Sequence, residues 1–237
     1  MWEGKNKAIT FSFDDGVRQD KVLVEILNKY GLKSTFNLNS ALLGLEPKLE
    51  CNGRIVDHSK VQFSEVKDLY KGHEVAVHTL THEFLPRMCE EAIVYQVERD
   101  RLILSDLVGY EVVGMAYPNG GQNNDDRVAE IIKRRTGVKY SRTITATGEF
   151  LPQENLYRFN PTVHFVNLSK MKELWEKFIS EETKEDRVFY IWGHSYEIDA
   201  GHLSWEEFDD FCKMVSGRKD VFYGTNSEVL LNQKLYK

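Results

Sequence analysis

Short apolar runs recur along the chain, separated by stretches in which apolar residues return every three or four positions. The runs lie at 8–13, 34–38, 74–78, 112–117, 139–144, 162–166, 188–192 and 221–225, and their density of apolar residues predicts buried strands. Over 17–30, Val22, Leu23, Ile26 and Leu27 share one helical face, and Gly31 follows as a stop. Further helices are predicted at 64–71 with Ser64 as N-cap, at 89–107 on Ile93, Val97, Leu102 and Leu104, and at 125–136 before Gly137. Two more are predicted at 169–182 behind the Ser169 cap and at 204–216, where Ser204 and Glu207 have the spacing of a capping box. Repeated strand–helix alternation implies parallel strands joined by helical crossovers, which is an α/β fold. A (β/α) barrel is the first choice and a doubly wound open sheet the second. In either, chemistry gathers at the C-terminal ends of the strands.

Composition narrows the function more than the fold. The 237 residues suit one domain spanning 1–237, with no Pro/Gly-rich or charge-rich linker to divide it. The 31 Lys and Arg against 37 Asp and Glu give a net charge of −6, which argues against nucleic acid as a partner. No apolar run approaches the roughly 18 residues of a membrane span. No apolar leader follows Met1, so a cytoplasmic location is the expectation. Cys51, Cys89 and Cys212 form no C-x-x-C pair, so neither a cysteine zinc site nor a disulfide framework is expected. Metal chemistry, if present, falls to the seven His.

Polar residues do collect at strand ends. The first strand runs into Asp14-Asp15-Gly16, the third into His78-Thr79-Leu80-Thr81-His82, and the seventh into Gly193-His194-Ser195. Adjacent carboxylates after an apolar strand are costly to bury unless a metal or strong donors relieve them. His-x-x-x-His spacing puts two imidazoles on one side of a helical turn, which suits a shared metal. Each signal alone has a plain alternative: a turn and helix cap, two unrelated His, a packed core His. Together, on one rim, an Asp-His-His set can hold a divalent ion with positions open for water and substrate. A leftover Asp and His then make a base and an acid.

These residues resemble the polysaccharide deacetylase family (carbohydrate esterase family 4). Ser12-Phe13-Asp14-Asp15-Gly16 is similar to its first motif, Thr-Phe-Asp-Asp-Gly, and His78-Thr79-Leu80-Thr81-His82 to its second, His-Ser/Thr-x-x-His. Ile191-Trp192-Gly193-His194 approximates the late Leu-x-x-His motif. The resemblance implies a distorted (β/α)₇ TIM-like barrel and removal of acetyl groups from N-acetylated sugar units. It implies a divalent metal, zinc first and cobalt or nickel next, on Asp15, His78 and His82. It makes Asp14 the general base and His194 the general acid that protonates the leaving amine. The implied partner is a carbohydrate or a small amide.

Two motifs depart from the family. Its Arg-x-Pro-aromatic-Gly appears as Ala116-Tyr117-Pro118-Asn119-Gly120, and its Asp-x-x-Asp-Trp is not visible. The Arg that orients the catalytic Asp is thus replaced by Ala116. Arg142, at the end of a strand, is the candidate to pair with Asp14 in its place, and Arg158 the second. The main-chain N–H of Asn119 is a candidate for the oxyanion, and Trp192 and Tyr117 for the sugar face. Glu197 and Asp199 are weighed as partners that orient His194. His164 reads more readily as packing, and His58, His73 and His202 as structural or surface residues. The changed motifs keep two competitors in view: a hydrolase of another C–N bond on the same barrel, and a non-catalytic carbohydrate-binding relative.

Overall fold

The computed structural model describes residues 2–232; residues 1 and 233–237, at the ends of the expected domain, lie outside them. In chain order the elements are β1 (Lys7–Asp14), α1 (Asp20–Lys29), β2 (Ser34–Leu38), β3 (Lys48–Cys51), β4 (Arg54–Asp57), α2 (Val66–Leu69), β5 (Glu74–Val77) and α3 (Glu90–Val108). They continue with β6 (Gly114–Ala116), α4 (Asp126–Arg135), β7 (Tyr140–Arg142), β8 (Val163–His164), α5 (Leu168–Ser180), β9 (Arg187–Gly193), α6 (Tyr196–Asp199), α7 (Trp205–Val215), β10 (Val221–Tyr223) and α8 (Asn226–Leu230). The main sheet is ordered β7-β6-β5-β2-β1-β9-β8, with every pairing parallel. β10 pairs with the first half of β1, at Lys7–Ile9, and β2 with its second half, at Phe11–Asp14. The sheet curls, and a bridge ties Arg142 of β7 to Phe159, in the segment that leads into β8 at the sheet's other end. This is the distorted α/β barrel; the open sheet is set aside. No helix among the described residues is long and apolar enough to cross a membrane.

Strand alternation separates two kinds of interior. Along β1, Ile9, Phe11 and Phe13 point to the helices and join the main apolar core. Phe13 meets Phe165 and Phe208 edge-on at 5.3 and 6.1 Å, which ties β1 to α7. The alternate residues Thr10, Ser12 and Asp14 point into the barrel and are as fully buried. That lumen is polar and paired: Thr10 donates to Asn226 at 2.9 Å, and Thr35 to Glu74 at 2.7 Å. A strand buried on both faces explains why the sequence shows a continuous run where one face is in fact polar.

Several boundaries differ from the sequence reading. The predicted strands at 112–117, 139–144 and 162–166 shorten to β6, β7 and β8. The cap expected of Ser64 belongs to Gln62, which forms a capping box with Glu65 over the short 3₁₀ turn Phe63–Glu65. Asn167, not Ser169, caps α5 by accepting from Lys170. The β3–β4 hairpin was not foreseen, because its residues are mostly exposed and form no apolar run. Asn52-Gly53 between its strands is the turn signal that marks it.

Candidate active site

Asp14 ends β1 on the lumen side and is 1% exposed. Arg142 reaches both of its oxygens with Nη2 at 2.5 Å, and Asn37 donates to Oδ1 at 2.8 Å. Burial pushes the Asp14 carboxyl up, but the Arg142 guanidinium, together with His78 and His194, outweighs it, so the group lies below the ordinary aspartate value. Arg142 is itself wholly buried and bonds to Ser12 Oγ and the Thr143 carbonyl. It therefore braces the carboxylate from behind and does not reach the open cleft. Its register partner on β6 is Ala116, the position where the third motif lacks its Arg. Arg142 thus stands one strand over from that position, at the same level of the barrel. Arg158 is elsewhere, paired with Asp126 at 2.5 Å.

Asp15 follows in a left-handed conformation, φ 81°, and Gly16 at φ 59° completes the turn. A Cβ at Gly16 would lie 2.7 Å from Leu38 Cδ2 and would have to push it aside, in a left-handed bend that favours glycine. Asp15 is nearly buried. Its Oδ2 is 3.1 Å from His58 Nε2, while Oδ1 has no hydrogen-bond partner. Burial raises its pKa, but the bond from His58 and the Lys60 ammonium outweigh this and hold it well below the usual range.

The two histidines of the second motif meet without a helix, contrary to the helical turn their spacing suggested. β5 ends at Val77, and the following loop turns through Thr79 (φ 65°) and His82 (φ 62°). Asn39 donates to the carbonyls of His78 and Thr79, at 2.5 and 2.8 Å, and Asn119 to that of His82, at 3.0 Å. His78 Nδ1 lies 2.9 Å from the Ala116 carbonyl. A carbonyl only accepts, so Nδ1 carries the proton and the Nε2 lone pair faces Asp15 Oδ1 at 3.7 Å. His82 Nε2 is 3.4 Å from the same oxygen. Burial depresses both imidazoles, His78 to about 4, which keeps them neutral at pH 7. Ligand atoms of Asp15, His78 and His82 all lie within 4.8 Å of one another. One orphaned carboxylate oxygen and two neutral imidazole nitrogens are the donors a divalent ion takes. Of the six non-glycine residues with positive φ among the described residues, Asp15, Thr79, His82 and Asn119 cluster here, as stored strain does at working sites.

His194 follows β9 with Nε2 3.9 Å from Asp14 Oδ2. Its Nδ1 and its main-chain N–H both meet Glu197 Oε2, at 3.1 and 2.9 Å, and His164 Nε2 lies 3.2 Å from that oxygen. Burial lowers the His194 pKa, yet the Glu197 carboxylate, with Asp15 and Asp14 adding to it, overcomes this and pushes the ring up to about 9. Burial raises Glu197, but its bonds to His164 and His194 hold it far below the usual range. Asp199 instead accepts from Gln19 and Trp205. A cleft of about 230 Å³ opens between Asp14, Asp15, His78, His82 and His194, with Tyr117, Asn119, Gly120, Ile144, Trp192 and Tyr196 completing its walls. Tyr117 presents only its ring, since its hydroxyl donates to the Tyr157 carbonyl at 2.8 Å. Trp192 stacks on the Arg142 guanidinium at 4.6 Å. A larger depression of about 500 Å³, between α4 and Glu154–Tyr157, holds no histidine.

His58 and Lys60 are the residues sequence reasoning missed at the site. Both lie far from every motif and face Asp15 only because the segment after β4 lies along the turn after β1. His73 and His202 stay away from the cleft, His73 accepting the Ser34 N–H at 3.2 Å and His202 lying 3.9 Å from Cys51 Sγ.

Comparison with known proteins gives a consistent picture. A family model described as polysaccharide deacetylase matches residues 3–140. Among solved structures, the Xyl-CE4 domain of a multidomain xylanase from the hindgut metagenome of Trinervitermes trinervoides superposes with a TM-score of 0.58 at 16% identity, covering 95% of this chain and 90% of that one. The deacetylase PplD of Streptococcus pyogenes, solved with acetate, gives 0.51 at 20% identity over 63% of this chain and 61% of that one. BA3943 of Bacillus anthracis, a CE4 family pseudoenzyme, gives 0.53 at 16% identity over 95% and 66%. The chain thus spans less than two thirds of the Streptococcus and Bacillus chains. No curated protein matches it.

Proposed function

The chain belongs to the polysaccharide deacetylase family, and from that premise we propose that it hydrolyses N-linked acetyl groups on an amino sugar or oligosaccharide, with a divalent ion held by Asp15, His78 and His82. Zinc is the first choice for this N₂O donor set, with cobalt and nickel as alternatives. When bound, the ion polarises the amide carbonyl and makes water acidic enough to attack near neutral pH. The remaining chemistry belongs to side chains. Asp14, ionised and aimed by Arg142 and Asn37, accepts a proton from the attacking water. The water oxygen bonds to the acetyl carbon and the C–N bond breaks. His194 gives its Nε2 proton to the departing nitrogen while Glu197 holds the Nδ1 proton. Asn119 borders the cleft, and its main-chain N–H is assigned the developing oxyanion. Trp192 supplies apolar surface for the sugar.

The observation that carries this reading is convergence: the Asp15, His78 and His82 ligand atoms within 4.8 Å, with Asp14 and His194 beside them in one cleft. The Asp14–Arg142 pair adds support against a non-catalytic reading, since it supplies the orientation that Ala116 cannot. The test is acetate release from N-acetylglucosamine oligomers by protein loaded with zinc, cobalt or nickel. Release that a chelator abolishes is expected. Stoichiometric metal with no release from any N-acetylated sugar would favour a non-catalytic relative. Release of amine from other small amides alone would favour a different C–N hydrolase.

A further inference from the structure

Behind Asp15, residues 58–61 are fastened to the turn after β1. The Val61 N–H donates to the Gly16 carbonyl and the Arg18 N–H to the Ser59 carbonyl, both at 2.9 Å, and Val17 bridges Lys60. His58 and Lys60 are two positions apart on this extended segment, so both side chains face Asp15. Lys60 is only 4% exposed, and its Nζ lies 3.9 Å from Asp15 Oδ1 and 3.4 Å from His58 Nε2. Oδ1 is the oxygen that accepts no hydrogen bond and that His78 and His82 both face. The Lys60 side-chain nitrogen therefore looks at the same carboxylate oxygen that would bind the ion; burial lowers its pKa, against Asp15 and Asp20, which raise it. The other carboxylate, Asp14, is already matched by Arg142. Each of the two adjacent carboxylates thus faces a basic side chain of its own, Asp14 that of Arg142 and Asp15 that of Lys60.

We propose that Lys60 is a resident counter-charge of the metal site: it balances Asp15 when no divalent ion is held, and it opposes the ion when one is. The inference rests on the reading of Asp15, His78 and His82 as the ligands. Its physical basis is that charges a few ångströms apart in a poorly solvated site interact strongly, so a fixed cation beside a ligand must cost the bound ion affinity. The same cation spares the ion-free protein a buried, unmatched carboxylate. The site is thereby set for an exchangeable ion and for a folded ion-free state. His58, bonded to Asp15 Oδ2, acts in the opposite sense by fixing the ligand's orientation.

The test is the zinc dissociation constant of the full chain at one pH, by competition with a chromophoric chelator, together with the thermal midpoint of the ion-free protein. Lys60→Met is expected to tighten zinc at least tenfold and to lower the ion-free midpoint. Lys60→Arg, which keeps the charge, is expected to stay within about threefold of the parent. Lys60→Gln serves as a second neutral variant should Lys60→Met fail to fold, with tightening again expected. His82→Ala marks the site. If His82→Ala weakens zinc but the neutral variants do not tighten it, the role of Lys60 is wrong and the ligand set stands. Lys60→Arg binding as tightly as Lys60→Met also overturns it, since packing rather than charge would then be responsible. If His82→Ala leaves zinc binding unchanged, the ligand assignment fails and this inference with it.

Discussion

At the scale of single residues, the proposed site depends on two buried pairs that hold the proposed base, Asp14, and the proposed acid, His194, each in one direction. Arg142 meets both Asp14 oxygens, a fork that a lysine cannot reproduce. Arg142→Lys is expected to keep the fold but to lower kcat at least tenfold with KM little changed, which steady-state kinetics would show. Arg142→Met leaves Asp14 buried and unpaired, and denaturant titration should show a loss on the order of 3–5 kcal/mol. Glu197 governs the second pair. It pushes His194 up to about 9, and an acid must be protonated to act, so activity falls as pH rises through that value. In Glu197→Gln the alkaline limb of kcat/KM is expected to move down by at least about one unit, towards the ordinary histidine value near 6.5. An unmoved limb would separate His194 from Glu197. Asp14, Asp15, His78, His82 and His194 were legible because each sits beside a strand end in a recognisable spacing. Arg142 was legible by its place at a strand end once Ala116 showed a vacancy in charge. Glu197 was only weighed, since nothing in Ser195-Tyr196-Glu197 shows that α6 turns back onto the imidazole. His58 was read as a structural or surface residue and Lys60 was not singled out, because only tertiary packing brings them to Asp15.

At the scale of elements, the loops after β1 and β5 carry the proposed ligands, and the elements around them fix those loops. Asp100 on α3 is buried and accepts from the Ser40 N–H at 2.7 Å and the His78 N–H at 3.3 Å. Burial raises its pKa to about 7, against these bonds, which lower it. A carboxyl whose folded pKa is raised favours the native state while protonated, and that advantage is lost as pH rises from about 4 to 7. The stability of the parent relative to Asp100→Asn should therefore decline over that window, by on the order of 4 kcal/mol at 1.36 kcal/mol per unit. Urea titrations at pH 4.5 and 7.5 measure it, and a difference independent of pH would contradict the shift. Elements were read from the sequence most reliably where the burial pattern was continuous, as in β1, β2 and β9. The hairpin of β3 and β4 escaped because its strands are mostly exposed. The β5 loop was misread as a helical turn because spacing alone does not reveal the positive φ at Thr79 and His82.

At the scale of the whole molecule, the barrel brings together residues far apart in sequence at the C-terminal ends of β1, β5, β7 and β9. The α/β barrel was legible from strand–helix alternation, but its polar lumen was not. Thr10, Ser12, Thr35 and Asn37 look like small interruptions in apolar runs until the sheet curls. An ion on Asp15, His78 and His82 would fasten the end of β1 to the loop after β5, and it binds only when both are in place. Zinc at one hundred times its dissociation constant is expected to add about 2.7 kcal/mol to stability, seen as a raised thermal midpoint that His82→Ala removes. The most direct measurement is hydrolysis of N-acetylated glucosamine oligomers in ¹⁸O water by the zinc-loaded protein, alongside Asp14→Asn. Acetate carrying one ¹⁸O per molecule, with no label in the freed amino sugar and at least a hundredfold loss of rate in Asp14→Asn, is the expected result. No acetate from the metal-loaded parent, or an undiminished rate in Asp14→Asn, would contradict deacetylation at this site.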